Sequence, residues 1–157
     1  MQTVRRAEKK DIPGLLELLI QVNMVHHTGR PDIFKGPTTK YDAKQLAEII
    51  ADETTPVFVC TDENDKVIGH GFCIHRQHEN DQLLTDIRTL YIDDICVDEN
   101  SRGQHVGRKL YNAIKEYAES QGCYNITLNV WSFNSTAESF YRNLGFKPLK
   151  TEMEVRL

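Results

Sequence analysis

Apolar residues recur along this chain at helix and strand spacings that alternate. Residues 3–7 read as a short strand. Asp11 then stands as a cap before Ile12, Leu15, Leu16, Leu19 and Val22, which keep the spacing of one helix face; Pro13 is tolerated in a first turn. From residue 24 to 41 the period is lost, and Gly29, Pro31, Gly36 and Pro37 mark a long loop of the kind that often carries function. Asp42 reopens a helix through Leu46, Ile49 and Ile50 that stops before Pro56. Residues 57–60 and 66–75 read as strands joined by the turn-rich Asp62-Glu63-Asn64-Asp65. A polar link then leads to a strand ending in Ile92-Asp93-Asp94-Ile95-Cys96-Val97. Val106, Leu110, Ala113, Ile114 and Tyr117 share one face of a helix predicted from about residue 103 to 121, stopped by Gly122. A strand at 125–131, a helix at 135–144 and a last strand near 153–157 complete the run. With no linker and no repeat, the pattern predicts one domain over residues 1–157, of α/β or α+β class with a mixed sheet.

Composition narrows the class. A hydrophobic share of 39% with 27% charged residues suits a soluble globular protein. A net charge of -4 argues against a general nucleic-acid surface. Nothing behind Met1 resembles a signal peptide, and the apolar run at 15–20 is short and broken by Glu17, so no membrane span is expected. Cys60, Cys73, Cys96 and Cys123 form no CxxC pair and read as buried reduced thiols, which suits a cytoplasmic location.

The stretch from Val97 to Arg108 carries the clearest chemistry. A strand ends, a polar turn follows, and a helix begins inside a glycine-bearing run: Arg102, Gly103, Gln104, His105, Val106, Gly107, Arg108. The first amides of a helix lack intrahelical partners and sit at the positive end of its dipole. Gly103 and Gly107 permit close approach, and Arg102 and Arg108 add charge, so a pyrophosphate would fit. The alternative is a plain helix start whose glycines relieve crowding. Neither GxxxxGK[ST] nor GxGxxG is present.

Read with its surroundings, this run resembles the signature Q/R-x-x-G-x-G/A of the GNAT superfamily of acyl-CoA-dependent N-acyltransferases, which falls on Arg102 to Gly107. The family's second pattern follows in order as Leu128-x-Val130, Asn134, Ala137, Tyr141 and Gly145-Phe146. The resemblance covers nearly the whole chain and is strongest from Tyr91 to Phe146. It implies a GNAT-type fold: a mostly antiparallel central sheet flanked by helices, splayed between the strand ending at Val97 and the strand at 125–131. It also implies acetyl-CoA as co-substrate, held by the Arg102–Arg108 loop and by backbone groups at Ile95, Cys96 and Val97. Asn134 would bond the pantetheine or nearby backbone, and Tyr141 would stand near the departing sulfur, where a phenol can give a proton to a thiolate. His105 is the one departure, replacing a glycine. It can still offer an amide, but at positive φ it would cost roughly 1–2 kcal/mol.

Ser135-Thr136-Ala137-Glu138 reads as a capping box with Ser135 as the cap. Phe140 and Leu144 share Tyr141's helix at core spacing.

An alkylamine of pKa about 10.4 is protonated at neutral pH, and neutralising it at pH 7 costs about 4.6 kcal/mol. Asp93 and Asp94, adjacent in an apolar strand, are the candidate bases, with Asp93 slightly preferred. Consecutive strand residues face opposite ways unless a bulge intervenes, and the resemblance implies a bulge there. His26 and His27 could touch the acceptor in the 24–41 loop; no ligand spacing around them suggests a metal. Nothing beside Cys96 in sequence suggests an activated nucleophile.

The expected function is therefore acetyl transfer to the primary amine of a small molecule by direct attack on the thioester. Protein or peptide N-acetylation and a non-catalytic acyl-CoA-binding module are the alternatives. The family's frequent dimers add the expectation of a homodimer.

Overall fold

The computed structural model describes residues 1–157, and its five strands lie side by side in chain order. They are β1 (Thr3–Arg6), β2 (Val57–Thr61), β3 (Val67–Gln77), β4 (Arg88–Val97) and β5 (Asn125–Leu128). The first four pair antiparallel, whereas β5 pairs parallel with β4. Four α-helices flank the sheet: α1 (Ile12–Gly29), α2 (Ala43–Ala51), α3 (Val106–Ser120) and α4 (Ser135–Asn143). This is the mixed, mostly antiparallel sheet flanked by helices that the sequence predicts. No helix is long and apolar enough to cross a membrane.

Side-chain alternation along β2 divides the core into two layers. Val57 and Val59 meet Leu15, Leu18 and Leu19 of α1 and Leu46 of α2. Phe58 and Cys60 meet Val106, Leu110 and Ile114 of α3. A strand covered on both faces needs no polar side, which is why all five residues of β2 are buried. Each fully buried leucine contributes about 1.5–3 kcal/mol. Gly69 of β3 lets the α3 start lie close, because a Cβ there would come within 2.8 Å of Val106 Cγ1.

Several boundaries differ from the sequence pattern, each for a local reason. The first helix continues through His26 and His27 to Gly29, so the loop is shorter than 24–41. Its last residue is glycine because a Cβ there would collide with the Phe133 ring. Asp11 does not cap α1 with its side chain. Its carboxylate instead takes the Arg5 guanidinium at 2.7 and 3.0 Å and the Glu8 amide at 2.7 Å. The helix expected from residue 103 starts at Val106, because Gly103 and His105 adopt left-handed backbone with φ of 78° and 61°. Asn134, not Ser135, caps α4, its Oδ1 accepting from the Ala137 amide at 3.2 Å.

The expected strand near 153–157 does not form. Met153 and Val155 are 87% and 82% exposed, so their alternation covers nothing, and no neighbouring strand pairs with them. Ion pairs of Arg30 with Glu154 and of Arg156 with Asp32 hold the segment instead. Alternation without a partner strand is not a strand. β5 likewise ends at Leu128 rather than at residue 131.

Candidate active site

The sheet opens at one place. β4 and β5 are paired from Thr89 with Asn125 to Ile92 with Leu128, and no further. Beyond Ile92, β4 keeps β3 on one side and has no strand on the other. The register also slips there: Cys73 faces Ile92 and Phe72 faces Asp94, leaving Asp93 as the extra residue of a β-bulge. The opening and the bulge therefore begin at the same residue.

The two acids there have different surroundings. Asp93 accepts from Lys40 Nζ at 2.6 Å and lies 3.5 Å from the Tyr41 hydroxyl. Burial pulls the Lys40 ammonium down, but the Asp93 bond and the charges of Asp93, Tyr41 and Asp94 together outweigh it and the pKa is raised. Asp94 has its Oδ2 3.5 Å from His70 Nε2, and its side chain keeps 14% of its surface. Burial first, and then the charge of Asp93, push Asp94 up to about 7 against the pull of Lys40. His70 is fully buried, neither ring nitrogen has a hydrogen-bond partner, and burial holds it down to about 3. Both groups are accordingly neutral in mildly acidic conditions.

Ladder parity divides the three residues after the bulge. The Asp98 amide donates to Ile68 O at 2.9 Å, toward β3. Two-residue alternation then turns the Cys96 backbone toward β3 and the Ile95 and Val97 backbones toward the opening. The Cys96 side chain is buried, with Sγ 3.6 Å from Leu18 O. Burial, and then Asp94, push its thiol up to about 12, so no thiolate forms near neutral pH.

The Arg102–Arg108 turn leads into α3. His105 is the N-cap residue, yet no side chain caps the helix, and no acid stands in its first turn. The first helical bond runs from the Lys109 amide to His105 O at 3.0 Å. The Val106, Gly107 and Arg108 amides have no acceptor in the protein. Such a helix start suits an anion. Arg102, Gly103, Gln104, His105 and Arg108 are all exposed, and the Gln104 side chain is tied to Gln2 at 2.9 Å.

α4 brings the last two candidates. Asn134 spends its Oδ1 on the helix cap, which leaves its amide nitrogen free. The Tyr141 side chain is partly buried beside Phe140 and Phe146, and its hydroxyl has no hydrogen-bond partner in the protein. Burial, and then Asp94 and Cys96, raise the phenol pKa, so it stays protonated and shares its environment with both. Phe140 is only partly buried and touches the position where a Gly107 Cβ would stand, at 3.0 Å.

Of the neighbours that complete this region, sequence reasoning singled out His26 and His27 and missed Phe34, Trp131, Phe133, His70 and Lys40. An aromatic cluster joins the end of α1 to the segment after β5: His26 to Phe34 at 4.9 Å, Phe34 to Trp131 at 5.2 Å, and Trp131 stacked on Phe133 at 5.9 Å. Burial and the nearby Lys40 lower the His26 pKa. His27 turns instead to Phe34 O, at 2.7 Å from Nδ1. His70 had one readable signal, a titratable residue among the apolar positions of β3; Lys40 had none.

Comparison with known proteins gives a consistent result. Residues 23–146 match the model of the acetyltransferase (GNAT) family. Thialysine N-epsilon-acetyltransferase of Bos taurus is 37% identical, over 96% of this chain and 86% of its own length. Among solved structures, a tetramutant of the BH1408 protein of Bacillus halodurans is 30% identical, with a TM-score of 0.94 over 99% of both chains. Glucosamine-6-phosphate N-acetyltransferase of Arabidopsis thaliana shares the fold, with a TM-score of 0.74 at 21% identity over 99% of this chain and 98% of its own.

Proposed function

The chain belongs to the GNAT acetyltransferase family and is an N-acetyltransferase, and from that premise we propose that it moves an acetyl group from acetyl-CoA to the primary amine of a small molecule. Residues 1–157 act as one such domain. The observation that carries this reading is the coincidence of the strand opening with the Asp93–Asp94 bulge, beside a helix start whose amides lack partners.

The residues present fit acetyl-CoA. The free amides of Val106, Gly107 and Arg108, flanked by Arg102, suit its pyrophosphate. The outward backbones of Ile95 and Val97 and the free amide nitrogen of Asn134 suit the pantetheine arm. When bound, the co-substrate supplies an activated thioester to direct attack by nitrogen.

The protein's part is to seat and neutralise the amine. Asp93 receives the ammonium, as it receives Lys40 in this structure. Asp94, raised to about 7, takes the proton, because a base works best when its pKa lies near the working pH. That exchanges the slight preference for Asp93 as base: its carboxylate is committed to a cation, whereas Asp94 is not. The Tyr141 phenol, held protonated, gives a proton to the departing sulfur. The aromatic cluster of His26, Phe34, Trp131 and Phe133 borders the acceptor side. The acceptor named for the bovine relative, thialysine, carries a primary amine and supports a small-molecule reading.

The test is a screen of acetyl-CoA thiol release against small amines, amino acids, aminoglycosides and peptides. One amide formed per thiol released, with a small amine preferred, supports the reading. Turnover confined to peptides would contradict the acceptor class, and CoA binding with no turnover on any amine would contradict the enzyme.

A further inference from the structure

We propose that Lys40 is itself an acceptor: its Nζ takes an acetyl group, and until then its ammonium occupies the Asp93 oxygen that an incoming amine needs. The inference rests on the acetyl-transfer reading of this site.

Lys40 differs from the other paired lysines in what it pairs with. Lys10 reaches Asp65, Lys66 stands 4.0 Å from Asp98 after β4 has ended, and Lys115 reaches Glu119 one turn along its own helix. Lys40 comes from the loop between α1 and α2 and sets Nζ 2.6 Å from Asp93, the bulge residue at which β4 loses its β5 partner. The Asp93 side chain is only 16% exposed, and Lys40 covers it. Asp94 and Tyr41 also act on the Lys40 charge, and Asp94 acts on the Tyr141 phenol. An amine and two adjacent carboxylates thus meet at one opening, and the Tyr141 phenol feels the charge of Asp94. A soluble alkylammonium seated on Asp93 would have to place its nitrogen where Lys40 Nζ now lies.

The step balances without any further reactant. The Lys40 ammonium gives one proton to the Asp93–Asp94 pair, and the freed lone pair forms a C–N bond to the acetyl carbonyl carbon. The C–S bond breaks with its electron pair leaving on sulfur, and the second nitrogen proton passes to that sulfur through Tyr141. The products are Nζ-acetyl-Lys40 and CoA thiol. A neutral amide forms no ion pair with a carboxylate and is readily displaced from it by a cation, so Asp93 becomes available to the ammonium of a free acceptor.

The experiment incubates the full chain with acetyl-CoA and no acceptor, then maps acetylated lysines by mass spectrometry after Glu-C digestion. The expected result is acetylation concentrated at Lys40, with a rate constant independent of protein concentration and at least tenfold lower in Tyr141→Phe. Acetylation spread over exposed lysines such as Lys35 and Lys150, and equal in Tyr141→Phe, would overturn the proposal. A second measurement needs no acetyl-CoA: n-butylammonium, a mimic of the lysine side chain, is titrated into the free protein and followed by NMR. Lys40→Gln should bind it severalfold more tightly than the parent, and equal affinity would overturn the claim that Lys40 occupies the seat. If a free amine is turned over while Lys40 stays unmodified, this inference fails and the acetyl-transfer reading stands. If neither CoA binding nor any turnover occurs, the reading fails and takes the inference with it.

Discussion

The Asp94 carboxylate and the His70 imidazole lie 3.5 Å apart within the sheet, and neither ring nitrogen of His70 has a hydrogen-bond partner. Burial pushes the acid up to about 7 and the base down to about 3, so folding makes both neutral. Between about pH 4 and 6.5 the unfolded chain holds this pair's one proton on His70, and the folded chain holds it on Asp94. The proton count does not change, and the pair gives stability no slope in that window.

Each single variant should unmask one slope. His70→Phe leaves Asp94 with a raised pKa, whose contribution is full below about pH 4 and is lost as pH rises through about 7. Stability should therefore fall with pH in that variant. Asp94→Asn leaves His70 with a lowered pKa, whose contribution is present above about pH 6.5 and is lost as pH falls toward about 3. There stability should rise with pH, and each limiting slope is about 1.4 kcal/mol per pH unit. Urea denaturation at several pH values reads both, and parallel profiles for the two variants would refute the paired assignment.

Tyr141→Phe separates chemistry from packing. The hydroxyl bonds to no protein group, so its removal should leave the melting temperature nearly unchanged. Loss of a proton donor to the leaving sulfur should lower kcat by about 100-fold with little change in KM. A matching fall in stability would assign Tyr141 to the core instead.

His105 sits at φ 61°, a conformation that costs a non-glycine residue roughly 1–2 kcal/mol. His105→Gly removes that strain but adds chain entropy to the unfolded state, for a net gain of about 0–1 kcal/mol. CoA binding, read by calorimetry, should be kept or tightened. His105→Val, β-branched at the same φ, should weaken it about tenfold, and unchanged binding would remove the turn from the cofactor grip.

Cys96 should prove dispensable for the chemistry. Its thiol is buried and pushed up to about 12. Cys96→Ala is expected to keep kcat within about twofold while costing about 1–2 kcal/mol of stability. A transfer rate abolished in a folded Cys96→Ala protein would point to a covalent route.

How much of this was legible in the chain depends on whether a feature is local. Two adjacent acids in an apolar strand fall where the bulge forms and the sheet opens, and the residues from Arg102 to Gly107 fall at the start of α3. The left-handed turn at His105 was not readable, because φ is set by how the turn must join Val97 to a helix packed on Gly69. Lys40 on Asp93 and His70 beside Asp94 are contacts across elements, and no spacing announces them. The alternating residues 153–157 show the converse. Their pattern looked like a strand, but a strand exists only with a partner, and none lies beside them.

If Asp94 is the proton acceptor at the bulge, its ionisation sets the pH dependence of kcat/KM. With an amine found by the screen, the parent should gain rate as pH rises through about 7, the range where Asp94 ionises. Asp94→Asn, with its fold verified, should lose at least 100-fold at pH 7 and the inflection with it. An Asp94→Asn protein that keeps both the rate and the inflection near pH 7 would contradict the account.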